Sequence, residues 1–142
     1  DWGRTLNDPV SDKLFDGSLE LVKKLSKVYK LALVSLAARE SPEVRKEKIL
    51  TSGVAQYFKL ILVGSEDKDK MYEQVLLDLS VNPSDVLIVD DRTVRGIAWG
   101  NRRGVTTVWI QKGKFENELP NEITGIPSFI VKDIREVESI LL

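Results

Sequence analysis

Short unbroken apolar runs punctuate the chain at residues 31–34, 60–63 and 86–89, with a β-branched run at 105–110 and a briefer apolar one at 129–131. Runs of this length, rich in Val, Ile and Leu and bounded by turn residues, predict strands buried on both faces. Between them the spacing changes. Leu19, Leu21, Val22, Leu25 and Val28 recur at helical intervals with lysines opposite, predicting a helix over 18–29. Ser41, Pro42 and Glu43 supply a cap, a first-turn proline and an acid, and predict a second helix that reaches Ser52 and stops at Gly53. Val75, Leu76 and Leu79 mark a third over 71–79; a fourth follows Asp91 and closes at Gly104, and a last spans 134–142. Residues 7–18, 66–70 and 111–127, variously rich in glycine, proline, asparagine or charge, predict loops. Strand and helix therefore alternate. That order predicts an α/β domain with a three-layer Rossmann-like fold, a mostly parallel sheet with helices on both faces.

Length and composition narrow the chemistry. At 142 residues the chain can build one sizeable core and not two, so residues 1–142 are expected to form a single domain. Net charge is -1 and charges are spread along the chain, which argues against a nucleic-acid partner. No apolar run approaches membrane-spanning length and no signal-peptide pattern is visible, so no membrane association is expected. The absence of cysteine excludes disulfides and thiolate chemistry and fits a cytoplasmic location. The absence of histidine excludes Ser-His-Asp hydrolysis and imidazole acid/base catalysis. Any catalysis must rest on carboxylates, lysines, hydroxyls or a bound ion.

The residues that follow the apolar runs are the candidates, because parallel sheets bind ligands at the carboxyl ends of their strands. They are Ser35, then Ser65 with Lys68 and Lys70 just beyond it, then the pair Asp90 and Asp91. Asp1 joins them if a further strand precedes it. A hydroxyl and an ammonium that hold phosphate oxygens, a carboxylate that attacks phosphorus, and acids that bind a divalent cation together suit phosphoryl transfer. Each residue also has a plainer reading, as a turn acid, a helix cap or a solvated charge.

In this order and on these elements the chain resembles the haloacid dehalogenase-like superfamily of hydrolases, most of whose members are magnesium-dependent phosphatases. Residues 1–6, Asp-Trp-Gly-Arg-Thr-Leu, resemble its first motif, Asp-x-Asp-Gly-Thr-Leu. The strand ending at Ser35 resembles the second, Lys68 or Lys70 the third, and the strand ending in Asp90-Asp91 the fourth. The likeness runs over essentially the whole chain. It implies that Asp1 is the nucleophile, and that Asp1, the Gly3 carbonyl and Asp91 hold Mg2+, with Asp90 able to stand in for a missing acid. Ser35 and one lysine would bind the phosphate; spacing does not separate Lys68 from Lys70, and Lys68 is favoured. It also implies a central strand ahead of Asp1, so that 31–34 and 86–89 should not pair directly.

Three departures stand out. Gly3 replaces the second aspartate, the family's general acid and base; Arg4 replaces the motif's glycine; and Gly96 replaces a further acid of the fourth motif. The short intervals from Asp1 to Ser35 and from Gly64 to Asp85 leave no room for an inserted cap domain. An open site is expected, taking a phosphorylated small molecule or macromolecule, or covered by a protein partner. Two functions follow: a slow magnesium-dependent phosphohydrolase, or an inactive relative that binds phosphate or protein. A receiver domain fits less well, because its acid pair comes early in the chain.

Overall fold

The computed structural model describes residues 1–142. Five parallel strands carry the architecture: β3 (Ala32–Leu36) beside β4 (Leu60–Gly64), and β5 (Leu87–Asp90), β6 (Thr106–Ile110) and β7 (Phe129–Val131) in that spatial order. Register aligns Ser35 with Val63 and Asp90 with Trp109, so the polar strand ends share one edge. Helices cover both faces. α1 (Ser18–Ser26), α2 (Pro42–Thr51) and α5 (Val137–Leu141) contribute Leu21, Val22, Leu25, Ile49 and Val137 to one core, together with Leu33 and Val108 of the sheet. α3 (Lys68–Asp78) and α4 (Ala98–Arg103) pack Tyr72, Leu76 and Trp99 on the other, against Val34 and Ile88. Adjacent residues Leu33 and Val34 thus point to opposite layers, the period-two signature of a strand buried on both sides. The predicted three-layer, mostly parallel fold is the one observed.

β3 does not pair with β5. Between them runs a groove of about 660 Å³, lined by residues that include Leu31, Leu33, Leu87 and Val89 of the strands and Leu25 and Leu76 of the helices on either face. The inner edges of both strands face it. The α-amino nitrogen of Asp1 donates to the Val89 carbonyl oxygen at 3.3 Å, which sets residue 1 at the end of this groove.

Several predicted boundaries shift for physical reasons. The first helix stops at Ser26 rather than 29, leaving Val28 exposed. α3 begins at Lys68 rather than Met71, because Asp67 accepts from the Asp69 N–H and caps a turn that looks in sequence like a charged loop. The 7–18 loop contains a two-stranded antiparallel hairpin, β1 (Asn7–Asp8) with β2 (Lys13–Leu14), too short for periodicity to reveal. The segment after Asp91 starts as a π-turn over Thr93–Ile97 before becoming α4, which ends, as predicted, at a left-handed Gly104. No cap domain interrupts either short interval: Asp1 to Ser35 holds the hairpin and α1, and Gly64 to Asp85 holds α3 and a single 3-10 turn.

Candidate active site

Asp1, Ser35, Lys68, Asp90 and Asp91 converge at the carboxyl edge of the sheet. Trp2, 2% exposed, anchors the first turn in the core. Its carbonyl accepts from the N–H groups of Thr5, Leu6 and Asn7, and this tight return brings the Thr5 hydroxyl to Asp1 Oδ2 at 2.8 Å. Arg4 holds a φ of 62°, the left-handed region where glycine is at ease and an arginine is strained. The other oxygen of Asp1, Oδ1, lies 2.7 Å from the Lys68 ammonium.

Lys68 is buried at the first position of α3 and also bridges to Asp90 Oδ2 at 3.1 Å. Tyr72, one turn further along the helix, donates its hydroxyl to the same oxygen at 3.0 Å. The backbone N–H of Gly96 donates there too, at 2.9 Å, while the Arg92 N–H serves Asp90 Oδ1 at 3.1 Å. A Cβ on residue 96 would fall 2.8 Å from the Asp90 Cβ, so glycine is what lets the π-turn approach so closely. Burial would raise the Asp90 carboxyl, but Lys68 and the Arg92 N–H outweigh it and hold the group well below the usual carboxylate range.

Asp91 differs. It is 3% exposed, its carbonyl is fixed by the Trp109 indole at 2.9 Å, and its Oδ2 is buried with no hydrogen-bond partner. Burial first and the Asp90 charge second push its carboxyl upward. A buried carboxylate oxygen without a donor costs free energy unless a cation or proton meets it. Oxygens of Asp1, Asp90 and Asp91 lie within 4.8 Å of one another; with Asp90 taken up by its protein donors, those of Asp1 and Asp91 are the hard donors that fit magnesium.

Across the crevice Ser35, 1% exposed, accepts from Arg45 Nη1 at 2.8 Å, so its own proton remains available for an anion. Arg45 comes from the first turns of α2, where its Nε faces Glu40 at 3.4 Å. Glu40 in turn is held by Lys48, which also reaches Asp12 of the hairpin. Arg4 and Arg92, next to the acids, lie over the Phe115 ring at 5.7 and 3.8 Å. Phe115 is half-buried beneath them.

Of the expected residues, Asp1, Ser35, Lys68, Asp90 and Asp91 are brought together. Lys70 is not: it is exposed on the outer face of α3, lining a depression with Asp69 and Glu73. Thr5, Tyr72 and Arg45 belong to the site and were not read from sequence. Thr5 stood within the first motif, but nothing in the spacing of Tyr72 or Arg45 announces a contact made only in the folded chain.

A family model described as haloacid dehalogenase-like hydrolase matches residues 2–110. The chain is 25% identical over 109 residues to a phosphoserine phosphatase of Thermus thermophilus, covering 73% of this chain and 42% of that protein. It is 27% identical to a glyceraldehyde 3-phosphate phosphatase of Methanopyrus kandleri over 64% of this chain and 41% of the other. Identity is 26% with the mouse N-acylneuraminate-9-phosphatase, over 90% and 52%. The chain therefore spans about half the length, or less, of these relatives. Among solved structures, an uncharacterised protein from Listeria monocytogenes serotype 4b superposes with a TM-score of 0.76 at 22% identity, covering 99% of this chain and 93% of that one. A hydrolase from Bacillus subtilis bound to magnesium superposes at 0.73 and 20% identity, over 92% and 56%.

Proposed function

The chain belongs to the haloacid dehalogenase-like hydrolase family, and from that premise we propose that it is a magnesium-dependent phosphohydrolase working through an aspartyl-phosphate on Asp1. One observation carries the reading: the partnerless, buried Asp91 Oδ2 beside the Asp1 carboxylate, in a crevice that also holds one ammonium and one hydroxyl. Asp1, Asp91 and the Gly3 carbonyl are the residues that would hold Mg2+. Bound there, the ion offsets the repulsion between a carboxylate nucleophile and a phosphate dianion.

The remaining roles fall to the chain's own groups. Lys68 and the Ser35 hydroxyl bind the phosphate oxygens, and Thr5 and Lys68 orient Asp1 for attack on phosphorus. Asp90, saturated by four protein donors, positions Lys68 and Tyr72 rather than binding the metal. Gly3 offers no proton, and loss of a general acid or base costs on the order of a hundred-fold or more in rate. A phosphorylated substrate fits the names of the relatives, which are phosphatases. The unpaired, apolar groove between β3 and β5 supports the placement of a parallel strand there that leads into Asp1.

The test is phosphate release from a phosphoester panel, with Mg2+ or with EDTA. The proteins are this chain, the same chain with a five-residue apolar extension before Asp1 (the length of β3), and the Asp1→Asn form of each. Magnesium-dependent release that Asp1→Asn abolishes is expected. No release from folded protein, alongside retained phosphate binding, would favour the inactive phosphate-binding domain that Gly3 keeps in view.

A further inference from the structure

We propose that the preferred substrate is a phosphoric anhydride, such as an acyl phosphate, and that Arg45 receives its anionic leaving group; this rests on Asp1 being a phosphoryl acceptor. Three observations carry it. First, a Cβ built on Gly3 meets Arg45 Nη1 at 3.9 Å, so the residue two places after Asp1 looks toward a guanidinium and brings no acid of its own. Second, the carboxylates on the flanking elements are committed elsewhere. Glu40 is clamped between Arg45 and Lys48, and Glu118 is bound by Arg92 Nε, the Thr93 hydroxyl and the Val94 N–H. Third, guanidinium groups flank the crevice: Arg45, paired with Glu40, on one side, and on the other Arg4 and Arg92 over the Phe115 ring, Arg92 paired with Glu118.

Such a mouth suits a leaving group that departs as an anion and needs no proton. When Asp1 attacks an acyl phosphate, the bond from phosphorus to the carboxyl oxygen breaks and the carboxylate leaves with the electron pair. Water then attacks phosphorus, the bond to Asp1 breaks, and both water protons end on phosphate. The sum is RCO2PO3(2-) + H2O → RCO2(-) + H2PO4(-), balanced in atoms and charge with no external acid. An alkyl phosphate instead expels an alkoxide, which requires a proton that Gly3 does not provide. Arg45, fixed by Ser35 and Glu40, presents a preorganised donor where negative charge develops, the arrangement that makes oxyanion sites effective.

The experiment compares kcat/KM for acetyl phosphate, inorganic pyrophosphate and propyl phosphate in the wild type, Arg45→Gln and Gly3→Asp, with inhibition by inorganic phosphate measured alongside. In the wild type acetyl phosphate should exceed propyl phosphate by on the order of a hundred-fold or more, beyond their difference in spontaneous hydrolysis. Pyrophosphate turned over as well as acetyl phosphate widens the class to all anhydrides; pyrophosphate left intact confines it to acyl phosphates. Arg45→Gln should lower the acetyl phosphate rate on the order of a hundred-fold while phosphate inhibition changes far less. Gly3→Asp, which has room and no backbone strain, should raise propyl phosphate turnover selectively. Equal use of propyl and acetyl phosphate, with Asp1-dependent release intact, overturns this proposal and leaves the phosphohydrolase standing. Uniform loss in Arg45→Gln matched by weaker phosphate inhibition also overturns it, making Arg45 a phosphate clamp. Release from none of the substrates overturns both.

Discussion

The two walls of the crevice are built on opposite principles. On the β5 and α3 side, Lys68, Tyr72 and Asp90 are buried and saturated: four donors converge on one carboxylate, and two of them come from a single helical turn. On the β3 and α2 side, only Ser35 is buried, Arg45 is 15% exposed, and Gly3 contributes no side chain. The first wall has little freedom to adapt, since Lys68, Tyr72 and Asp90 hold one another and only Asp91 is left without a donor. The second has been stripped to one hydroxyl and one cation. Placement of the nucleophile and treatment of the leaving group therefore rest on different side chains here, and mutations on the two walls should separate them.

The largest effect belongs to the nucleophile. Asp1→Asn keeps size but trades one of two acceptor oxygens for a donor, and should lower phosphate release by roughly 10⁴-fold or more, judged by the loss when other enzymes lose theirs; a phosphate-release assay checks it. Lys68→Met should strand the buried Asp90 charge and destabilise the fold by about 3–5 kcal/mol, read in urea unfolding. On the other wall Arg45→Gln should cost only about 1 kcal/mol, since its pair with Glu40 is long and Lys48 still holds that carboxylate. Equal destabilisation by the two would break the contrast. Gly96→Ala, which forces a Cβ against Asp90, should fall between them at about 1–3 kcal/mol. Arg4→Gly relieves a left-handed arginine and should stabilise by about 1 kcal/mol while removing a cation from the mouth.

The adjacent acids show how far sequence could go. Asp90 and Asp91 were legible as a candidate site because they end an apolar strand, and Ser35 for the same reason; strand polarity and parallel register then bring these ends to one edge. What sequence could not do was tell the two acids apart. Asp90 ends β5 and Asp91 lies just past it; one meets Lys68 and Tyr72 and the other meets no donor, a distinction that exists only once α3 has docked. Gly96 carries a second role that the sequence did not show. In sequence it is a missing acid; in the fold it is the close backbone approach that gives Asp90 one of its donors. Lys68 and Lys70 were inseparable until the Asp67 cap fixed the phase of α3, which turns one inward and leaves the other in solvent. The hairpin at 7–14 and the reach of Arg45 to Ser35 depend on contacts with no periodic trace, whereas the cap at Ser41 and the stop at Gly104 rest on local chemistry and were readable.

The most direct test of the central claim is to look for the covalent intermediate. The chain would be mixed with acetyl phosphate and Mg2+, quenched in acid, digested and examined by mass spectrometry for a phosphoryl group. The account predicts an acid-stable, hydroxylamine-labile adduct on the peptide that carries Asp1, absent from Asp1→Asn. Turnover with no adduct at Asp1, or an adduct on another residue, would contradict it.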